Sequence, residues 1–260
     1  MVKQMKMFFE IKNSFKEMLK GTPIENFAKS TYDLLIPSSY EMDLNKQDNA
    51  LMSQILQRIL NQESNCIDIG CNTGDVLAHI VQLSPSGYHY AFEPLPRLAT
   101  RLKNKFPHVD IRQVALSNSE GETSFWYVVN APALSSLKKD IWKRHIRDAI
   151  TENITVKTQR LDDILNPELK IDLVKVDVEG VELEVLKGAI RTLKTHRPYV
   201  FFEHGELVDG KPVHDRRIYD LLVNECNLHI FELRSWLQGL SPLSLDEYLH
   251  TGVWNFFAAP

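Results

Sequence analysis

The sequence predicts a doubly wound α/β fold, in which helices cover both faces of a mostly parallel sheet. Short apolar runs alternate with helix-patterned segments from Cys66 onward, as parallel strands with crossover helices require. The first run ends in the glycine-rich stretch Cys66–Gly74, which is typical of a buried strand that turns directly into a helix. A last apolar segment, Trp254–Ala258, is expected to add one antiparallel strand.

Length and composition restrict the protein class. The 260 residues fit one large domain or one domain with a small appendage, and the chain is 43% hydrophobic and 25% charged, as soluble globular proteins are. A net charge of −4 gives no basic field for nucleic acid. The three cysteines form no CxxC pair, which predicts reduced thiols and a cytoplasmic setting. We find no apolar run of membrane-spanning length and no signal-peptide core in residues 1–20.

Residues 1–62 carry helical periodicity and are expected to form a helical cap; the alternatives are a lid over the substrate and a weakly basic surface helix near a membrane. One predicted helix contains Phe8 to Leu19 and stops at Gly21-Thr22-Pro23, and a second covers Asp48–Leu60. The loop between them holds three side chains that could line a pocket, namely Tyr32, Tyr40 and Asp43.

Residues 63–260 are expected to form the ligand-binding domain, with an insertion at about 121–160. Seven strands are predicted for the sheet, at Cys66–Gly70, Tyr88–Phe92, Val109–Leu116, Ile171–Val176, Pro198–Phe202, Leu228–Leu233 and Trp254–Ala258. Helices are predicted at about Thr73–Leu83, Leu95–Lys105 and Asp215–Glu225, with one more after Glu179. The insertion contains two more predicted strands and a basic amphipathic segment, Lys138–Arg147. We expect that segment to be a solvated face; the alternative is a contact surface for an anionic or glycan acceptor, with Trp142 as a stacking face.

The glycine-rich stretch indicates the kind of ligand. Its glycines allow the backbone to approach a ligand closely, and Asp68 at the strand end favours a cationic or hydroxyl-bearing group over a pyrophosphate. The dinucleotide pattern G-x-G-x-x-G is absent, because Asn72 stands where the second glycine is needed. No lysine follows Gly74, so the stretch is not a P-loop either. The pattern Asp-x-Gly-x-x-x-Gly instead resembles motif I of the class I S-adenosylmethionine (SAM) methyltransferases.

Other polar residues follow the predicted strands, whose carboxyl ends form the ligand edge of an open parallel sheet. Glu93 follows the second strand, where a carboxylate binds ribose hydroxyls, and Ala115-Leu116 would border the adenine. Four candidate catalytic residues follow the fourth and fifth strands: Asp177, Glu179, Glu203 and His204. His204 or Asp177 could act as a general base, and Glu179 or Glu182 is expected partly to cap the next helix. A divalent metal on the same carboxylate–histidine set ranks lower, so no metal site is assigned.

Several motifs occur together in one order: Cys66–Gly74, Ala91-Phe92-Glu93-Pro94, Arg160–Leu165, Asp172–Glu182, Leu186-Lys187-Gly188-Ala189 and Arg197–His204. This set resembles the FkbM-type SAM-dependent methyltransferases over about Cys66 to His204. Cys71 and Leu95 depart from the family, which commonly has alanine and asparagine at those places. The resemblance implies a seven-stranded, Rossmann-like class I methyltransferase sheet. The expected cofactor residues are Asp68, Gly70, Cys71, Asn72, Thr73, Gly74, Glu93, Pro94, Ala115, Leu116 and Asp177.

The resemblance further implies that SAM is the cofactor, S-adenosylhomocysteine the product, and a hydroxyl of a glycan, polyketide or other natural product the acceptor. The alternatives are a small-molecule N-methyltransferase, a non-catalytic SAM-binding protein and an oxidoreductase on the same sheet. The missing second glycine argues against the last, and the retained acids at Asp177, Glu179 and Glu203 argue against a non-catalytic role. The expected partner is a small-molecule or glycan acceptor, without nucleic acid or a transmembrane segment, and homo-oligomerisation is left open.

Overall fold

The computed structural model describes residues 40–144, 146, 148–208 and 211–260. Its strands, in chain order, are β1 (Cys66–Ile69), β2 (His89–Phe92), β3 (Asp110–Arg112), β4 (Ala115–Leu116), β5 (Gly121–Val128), β6 (Thr151–Gln159), β7 (Leu173–Val176), β8 (Tyr199–Glu203), β9 (Glu206–Val208), β10 (Lys211–Val213), β11 (His229–Glu232) and β12 (Asn255–Ala259). Its α-helices are α1 (Tyr40–Ile59), α2 (Asp75–Leu83), α3 (Pro96–Lys105), α4 (Leu161–Ile164), α5 (Glu182–Gly188), α6 (Ile190–His196), α7 (Arg216–Tyr219), α8 (Leu233–Leu237) and α9 (Leu245–His250). A π-helix, Asp220–Glu225, continues α7.

The central sheet has seven strands in the order β11-β12-β8-β7-β1-β2-β3. Pairs among β8, β7, β1, β2 and β3 are parallel, whereas β12 runs antiparallel to both β8 and β11. This arrangement confirms the predicted mostly parallel sheet with one antiparallel strand. Since β1 lies between β7 and β2, the polar groups after these three strands meet at one edge.

Alternating residues of the central strands build two hydrophobic layers, one on each face of the sheet. Ile67, Val174 and Phe202 belong to the layer under α5 and α6. The neighbouring residues Cys66, Leu173 and Phe201 belong to the opposite layer, with buried side chains of α1 and α2. Strands buried on both faces are apolar throughout, which is why they appear in the sequence as short continuous apolar runs.

The third predicted strand, Val109–Leu116, is wrong as a single element. Only Asp110–Arg112 pairs with β2, while Ala115–Leu116 forms β4 and pairs in parallel with β6 in a separate sheet. The Arg112 guanidinium bonds Asp110 and the Ile164 carbonyl, and the chain leaves the central sheet directly after it. Ala115 belongs to a hydrophobic cluster with Phe125 and Val156 of the insertion, whereas Val114 and Leu116 remain in the cluster of the central sheet.

The segment predicted as an insertion forms a three-stranded sheet with β4. Strands β5 and β6 pair antiparallel along their whole length, and the loop between them contains two 3₁₀ turns, Pro132–Leu134 and Ile141–Arg144. Trp142 is only 4% exposed and lies 5.8 Å from Trp126, ring centroid to ring centroid. The alternative role of Trp142 as an open stacking face is therefore wrong, because its ring is packed inside the insertion.

The predicted N-terminal cap falls largely outside the described residues, and so do its first helix and Tyr32. Helix α1 begins earlier than the predicted second helix, so Tyr40 and Asp43 are helical and do not lie in a loop. Among the described residues, we find no helix that combines the length and the apolar character needed to cross a membrane.

Candidate active site

A cleft opens at the carboxyl ends of β1, β2 and β7, and the β5–β6 insertion forms its far wall. The central sheet and the turns that follow its strands contribute Ile69, Gly70, Asn72, Phe92, Glu93, Pro94, Leu95, Asp177, Val178, Glu179 and Val181. The segment around β4 and the insertion contribute Val114, Ala115, Leu116, Phe125, Pro132, Ala133, Ser135 and Leu137. The cleft is thus mostly apolar, with three carboxylates on the sheet side.

The glycine loop forms the floor of the cleft in a backbone conformation that needs glycine. Gly70, Asn72 and Gly74 have φ angles of 72°, 46° and 77°. A Cβ on Gly70 would lie 1.8 Å from the Asp177 carbonyl oxygen, so two turns touch there backbone to backbone. Gly70 and Asn72 line the cleft, and their predicted role in cofactor binding stays a prediction.

Three other predicted cofactor residues of this loop lie outside the cleft lining. The Cys71 side chain is buried beneath the loop, and burial raises the pKa of its thiol. Thr73 is exposed and donates its hydroxyl to Asp75. Gly74 begins α2, where a Cβ would collide with Leu102 and Phe106. These three residues therefore contribute to the conformation of the loop and do not face the cleft.

Glu93 is 4% exposed, and its carboxylate joins two loops. One oxygen accepts the Asn72 backbone N–H at 2.9 Å, and the other accepts the Leu95 N–H at 2.9 Å. Burial raises the pKa of Glu93, and these two N–H groups offset part of that rise. Each carboxylate oxygen can accept a second hydrogen bond, so the group can hold a diol while it stays bonded to the backbone.

A buried lysine that the sequence analysis did not single out lies at the base of the cleft. Lys175 is paired in register with Asp68 across β7 and β1, and its ammonium is 3.3 Å from Asp68 Oδ1, 3.1 Å from Asp177 Oδ2 and 3.0 Å from the Gly70 carbonyl oxygen. Burial alone would lower the pKa of Lys175, but the charges of Asp177 and Asp68 outweigh it and raise that pKa. Burial raises the pKa of Asp68, and Lys175 offsets part of the rise.

Asp68 and Asp177 consequently differ in access, although they share one lysine. Asp68 is fully buried behind the cleft, while the Asp177 side chain is 38% exposed and lines it. Lys175 approaches the Oδ2 oxygen of Asp177, and the carboxylate remains partly exposed. The formal charges of the two acids and the lysine sum to −1.

Residues Asp177–Gly180, here called the carboxylate turn, connect β7 to α5. Glu179 and Gly180 have φ angles of 56° and 93°, a conformation that is costly for a residue with a Cβ such as Glu179. The Ser136 hydroxyl of the insertion donates to the Glu179 carbonyl at 2.6 Å. A Cβ on Gly180 would lie 2.4 Å from Ile141 Cδ1, so the insertion also packs directly on this turn.

His204 is not part of the cleft lining, although it was predicted as a general base. Its Nε2 accepts the Asp215 backbone N–H at 3.0 Å, and its Nδ1 lies 3.5 Å from Glu182 Oε2. The lone pair that a base would use is therefore engaged, and the ring proton belongs on Nδ1. Glu203 ends β8, opposite Asn255 of β12. The general-base role of His204 and the catalytic role of Glu203 stay predictions.

The donors and charges of the cleft fit a cofactor that is cationic at its reactive end and carries hydroxyls. Glu93, Asp177 and Glu179 line the cleft, which would repel a pyrophosphate and attract a sulfonium. Ala115 and Leu116 offer an apolar surface of the kind an adenine requires. In the described ranges, no three acidic, histidine or cysteine side chains are grouped as a metal site.

Comparison with known proteins identifies the family. Residues 68–230, more than half of the chain, match the methyltransferase FkbM domain. The chain belongs to the FkbM methyltransferase family. This result confirms three predictions from the sequence: the family, the methyltransferase activity and SAM as the cofactor.

Curated relatives carry related names. The FkbM methyltransferase described here is 31% identical over 190 residues to the 2-O-methyltransferase NoeI of Sinorhizobium fredii, a match that covers 65% of this chain and 75% of NoeI. It is 33% identical over 164 residues to the methyltransferase sdnD of Sordaria araneosa, covering 50% of this chain and 62% of sdnD. Among solved structures, an FkbM methyltransferase from Methylobacillus flagellatus matches with 15% identity and a TM-score of 0.42, over 76% of this chain and 44% of that one.

Sequence reasoning missed two polar residues of this FkbM methyltransferase that support the cleft. Lys175 interrupts the apolar strand Leu173–Val176. Because a lysine inside a buried strand requires an acidic partner, this residue could have predicted a buried ion pair from the sequence. Glu182 was considered only as a helix cap, whereas it also approaches His204, a contact between segments that no local pattern reveals.

Proposed function

We propose that this FkbM methyltransferase transfers the methyl group of SAM to a hydroxyl of a glycan, polyketide or similar hydroxyl-rich acceptor, with Asp177 as the proton acceptor. The observation that carries the proposal is the position of Asp177, a partly exposed carboxylate in the cleft that a buried lysine holds from behind. Bound SAM would supply an electrophilic methyl group on a sulfonium.

The sheet-side residues support the cofactor half of the cleft. Glu93 would accept the ribose hydroxyls through the lone pairs that Asn72 and Leu95 leave open. Ala115 and Leu116 would cover the adenine, and the backbone at Gly70 would approach the amino-acid portion. The net negative charge of Asp68, Lys175 and Asp177 favours a cation at the reactive end.

The acceptor half is bounded by the carboxylate turn and by the insertion. An acceptor hydroxyl between Asp177 and the wall at Pro132–Leu137 would pass its proton to the Asp177 carboxylate as the oxygen gains the methyl group. Lys175 keeps Oδ2 bonded and holds the carboxylate in place during this transfer. Methyl transfer is an in-line displacement, in which the acceptor oxygen, the methyl carbon and the sulfur must be collinear. Holding the hydroxyl in that position therefore supplies much of the rate.

The relatives support an oxygen acceptor, since NoeI is named a 2-O-methyltransferase and aligns with 65% of this chain. A nitrogen acceptor remains the alternative from the sequence. An amine needs no strong base, so it would make turnover much less dependent on Asp177.

The test measures S-adenosylhomocysteine formation by the full chain with sugars and hydroxylated polyketides, each paired with its amino analogue. We expect turnover with the hydroxyl members and a fall of about 10²- to 10⁴-fold in kcat for Asp177→Asn, with SAM affinity changed by only a few-fold. Asp163→Asn is the matched control, because that aspartate is exposed on α4 outside the cleft. Normal turnover by Asp177→Asn, or methylation of the amino analogues alone, would refute the proposal.

A further inference from the structure

Glu182 is a buried carboxylate that contacts two separate segments of the chain. Its side chain is 3% exposed, and an ionised carboxylate at such a site must be compensated by hydrogen bonds or charge. One oxygen accepts the Gly180 backbone N–H at 2.8 Å, and the other faces His204 Nδ1 at 3.5 Å. Glu182 thus links the last residue of the carboxylate turn to the residue that follows β8.

His204 extends this link to a third segment. Its Nε2 accepts the backbone N–H of Asp215, the residue that caps α7 through the Arg217 N–H. The His204 backbone N–H donates to the Trp254 carbonyl beside β12, so the main chain at His204 is held as well as its ring. The imidazole therefore accepts a hydrogen bond from one segment at Nε2 and directs its Nδ1–H toward another, which fixes its tautomer.

The carboxylate turn needs external support, since it contains two successive residues with positive φ. A non-glycine residue in that region is strained and persists only where surrounding contacts impose it. Ser136 supports the turn from the insertion and Lys175 from below. Glu182 adds a further contact, at the Gly180 N–H.

We propose that Glu182 and His204 are positioning residues for methyl transfer: they lock the carboxylate turn so that Asp177 meets the acceptor hydroxyl, and His204 does not itself take the proton. This inference rests on the proposed function in one respect, the role of Asp177. A displacement of about 1 Å at a reacting group can lower a rate about 10²-fold, so the lock acts on kcat more than on cofactor affinity.

Two substitutions at His204 separate the lock from a general base. His204→Gln retains an acceptor at about the Nε2 position for the Asp215 N–H but loses the contact to Glu182, whereas His204→Asn retains a donor toward Glu182 and leaves the Asp215 N–H unbonded. We expect kcat to fall about 3- to 30-fold in each variant, because each breaks one end of the link and keeps the other. The KM for SAM should change less than 3-fold in both.

Glu182→Gln tests the other end of the lock. Its amide can satisfy either the Gly180 N–H or His204 Nδ1–H with its one oxygen but not both, so kcat should fall by a similar factor. S-adenosylhomocysteine binding and the thermal unfolding midpoint, recorded for every variant, show that the chain is folded. Glu184→Gln, on the same helix, is the matched control.

The outcomes are distinct. A loss of about 10²-fold or more in both His204 variants with cofactor binding intact would make His204 the base and overturn the lock. Native kcat in His204→Asn and Glu182→Gln would also overturn it. Full activity of Asp177→Asn, in contrast, would refute the proposed function, whatever the His204 variants show.

Discussion

At the scale of a single residue, the burial of Glu93 should make the affinity for SAM depend on pH. Its carboxylate bonds two backbone N–H groups and keeps lone pairs for a ligand, but burial raises its pKa. Protonation therefore begins at a higher pH than for an exposed glutamate. An ionised carboxylate is the stronger acceptor for ribose hydroxyls, so acidification should weaken SAM binding as pH falls through that raised pKa.

Calorimetric titration of SAM at several pH values tests this expectation. The native affinity should fall on acidification, and Glu93→Gln should bind weakly at every pH with a flatter dependence. Glu168→Gln, a change at an exposed loop glutamate, should follow the native curve. An unaltered pH dependence in Glu93→Gln would exclude Glu93 as the titrating group.

Lys175 is the residue whose loss should cost most stability. Its ammonium compensates two carboxylates, and removing one partner of a buried ion pair leaves an uncompensated charge. We expect Lys175→Met to lower the free energy of unfolding by about 3–5 kcal/mol in denaturant titrations. Lys187→Met, at an exposed site on α5, should change it by less than about 0.5 kcal/mol. Equal stability of the two variants would mean that Lys175 contributes no net compensation.

At the scale of elements, the contact between the glycine loop and the carboxylate turn can be tested with two matched glycines. Gly70 and Gly239 have nearly the same φ, 72° and 71°, but a Cβ at Gly70 would meet the Asp177 carbonyl at 1.8 Å, whereas a Cβ at Gly239 meets nothing within 4 Å. The pair therefore separates a steric collision from the backbone preference that both glycines satisfy.

Gly70→Ala should abolish measurable SAM binding and lower the unfolding midpoint, because the two turns must move apart. Gly239→Ala should keep native SAM affinity and lose only about 1 kcal/mol of stability, the cost of a left-handed alanine. Calorimetry and thermal unfolding on both variants check this. Native SAM affinity in Gly70→Ala would show that the loop can open without loss of the site.

Elements with a simple period were predictable from the sequence, and those that depend on distant partners were not. The short apolar runs at β1, β2, β7 and β8 identified the sheet, because buried parallel strands are apolar on both faces. The break after Arg112 escaped prediction, since Ala115–Leu116 is as apolar as the strand before it and only its pairing with β6 distinguishes it. A strand's apolar pattern does not say which sheet it joins.

The same distinction applies to the site. Glu93 and Asp177 follow strands directly, so topology alone placed them at one edge. Cys71, Thr73 and Gly74 belong to the same motif, yet they point away from the cleft or stand beside it, which a linear motif cannot indicate. His204 follows a strand as well, but its ring is held by Asp215 and Glu182, from segments that the sequence gives no means of pairing.

At the scale of the whole molecule, β12 holds one end of the sheet together. It lies between β8 and β11, and β11 has no other strand neighbour in the described part of the chain. Loss of β12 should therefore release β11 as well. Native-state hydrogen exchange should show the amides of Phe231 and Phe257, which face each other across β11 and β12, opening with one shared free energy, below that of β1. A β11 amide that outlasts every β12 amide would contradict this dependence.

This strand order also determines when each strand can join the sheet during synthesis of the chain. Strands β1, β2 and β3 can pair as soon as they have left the ribosome, but β11 has no place in the sheet until residues 255–259 have also emerged. Until then the edge of β8 is open and the apolar residues of β11 lack their partner, a period in which the growing chain depends on protection from aggregation.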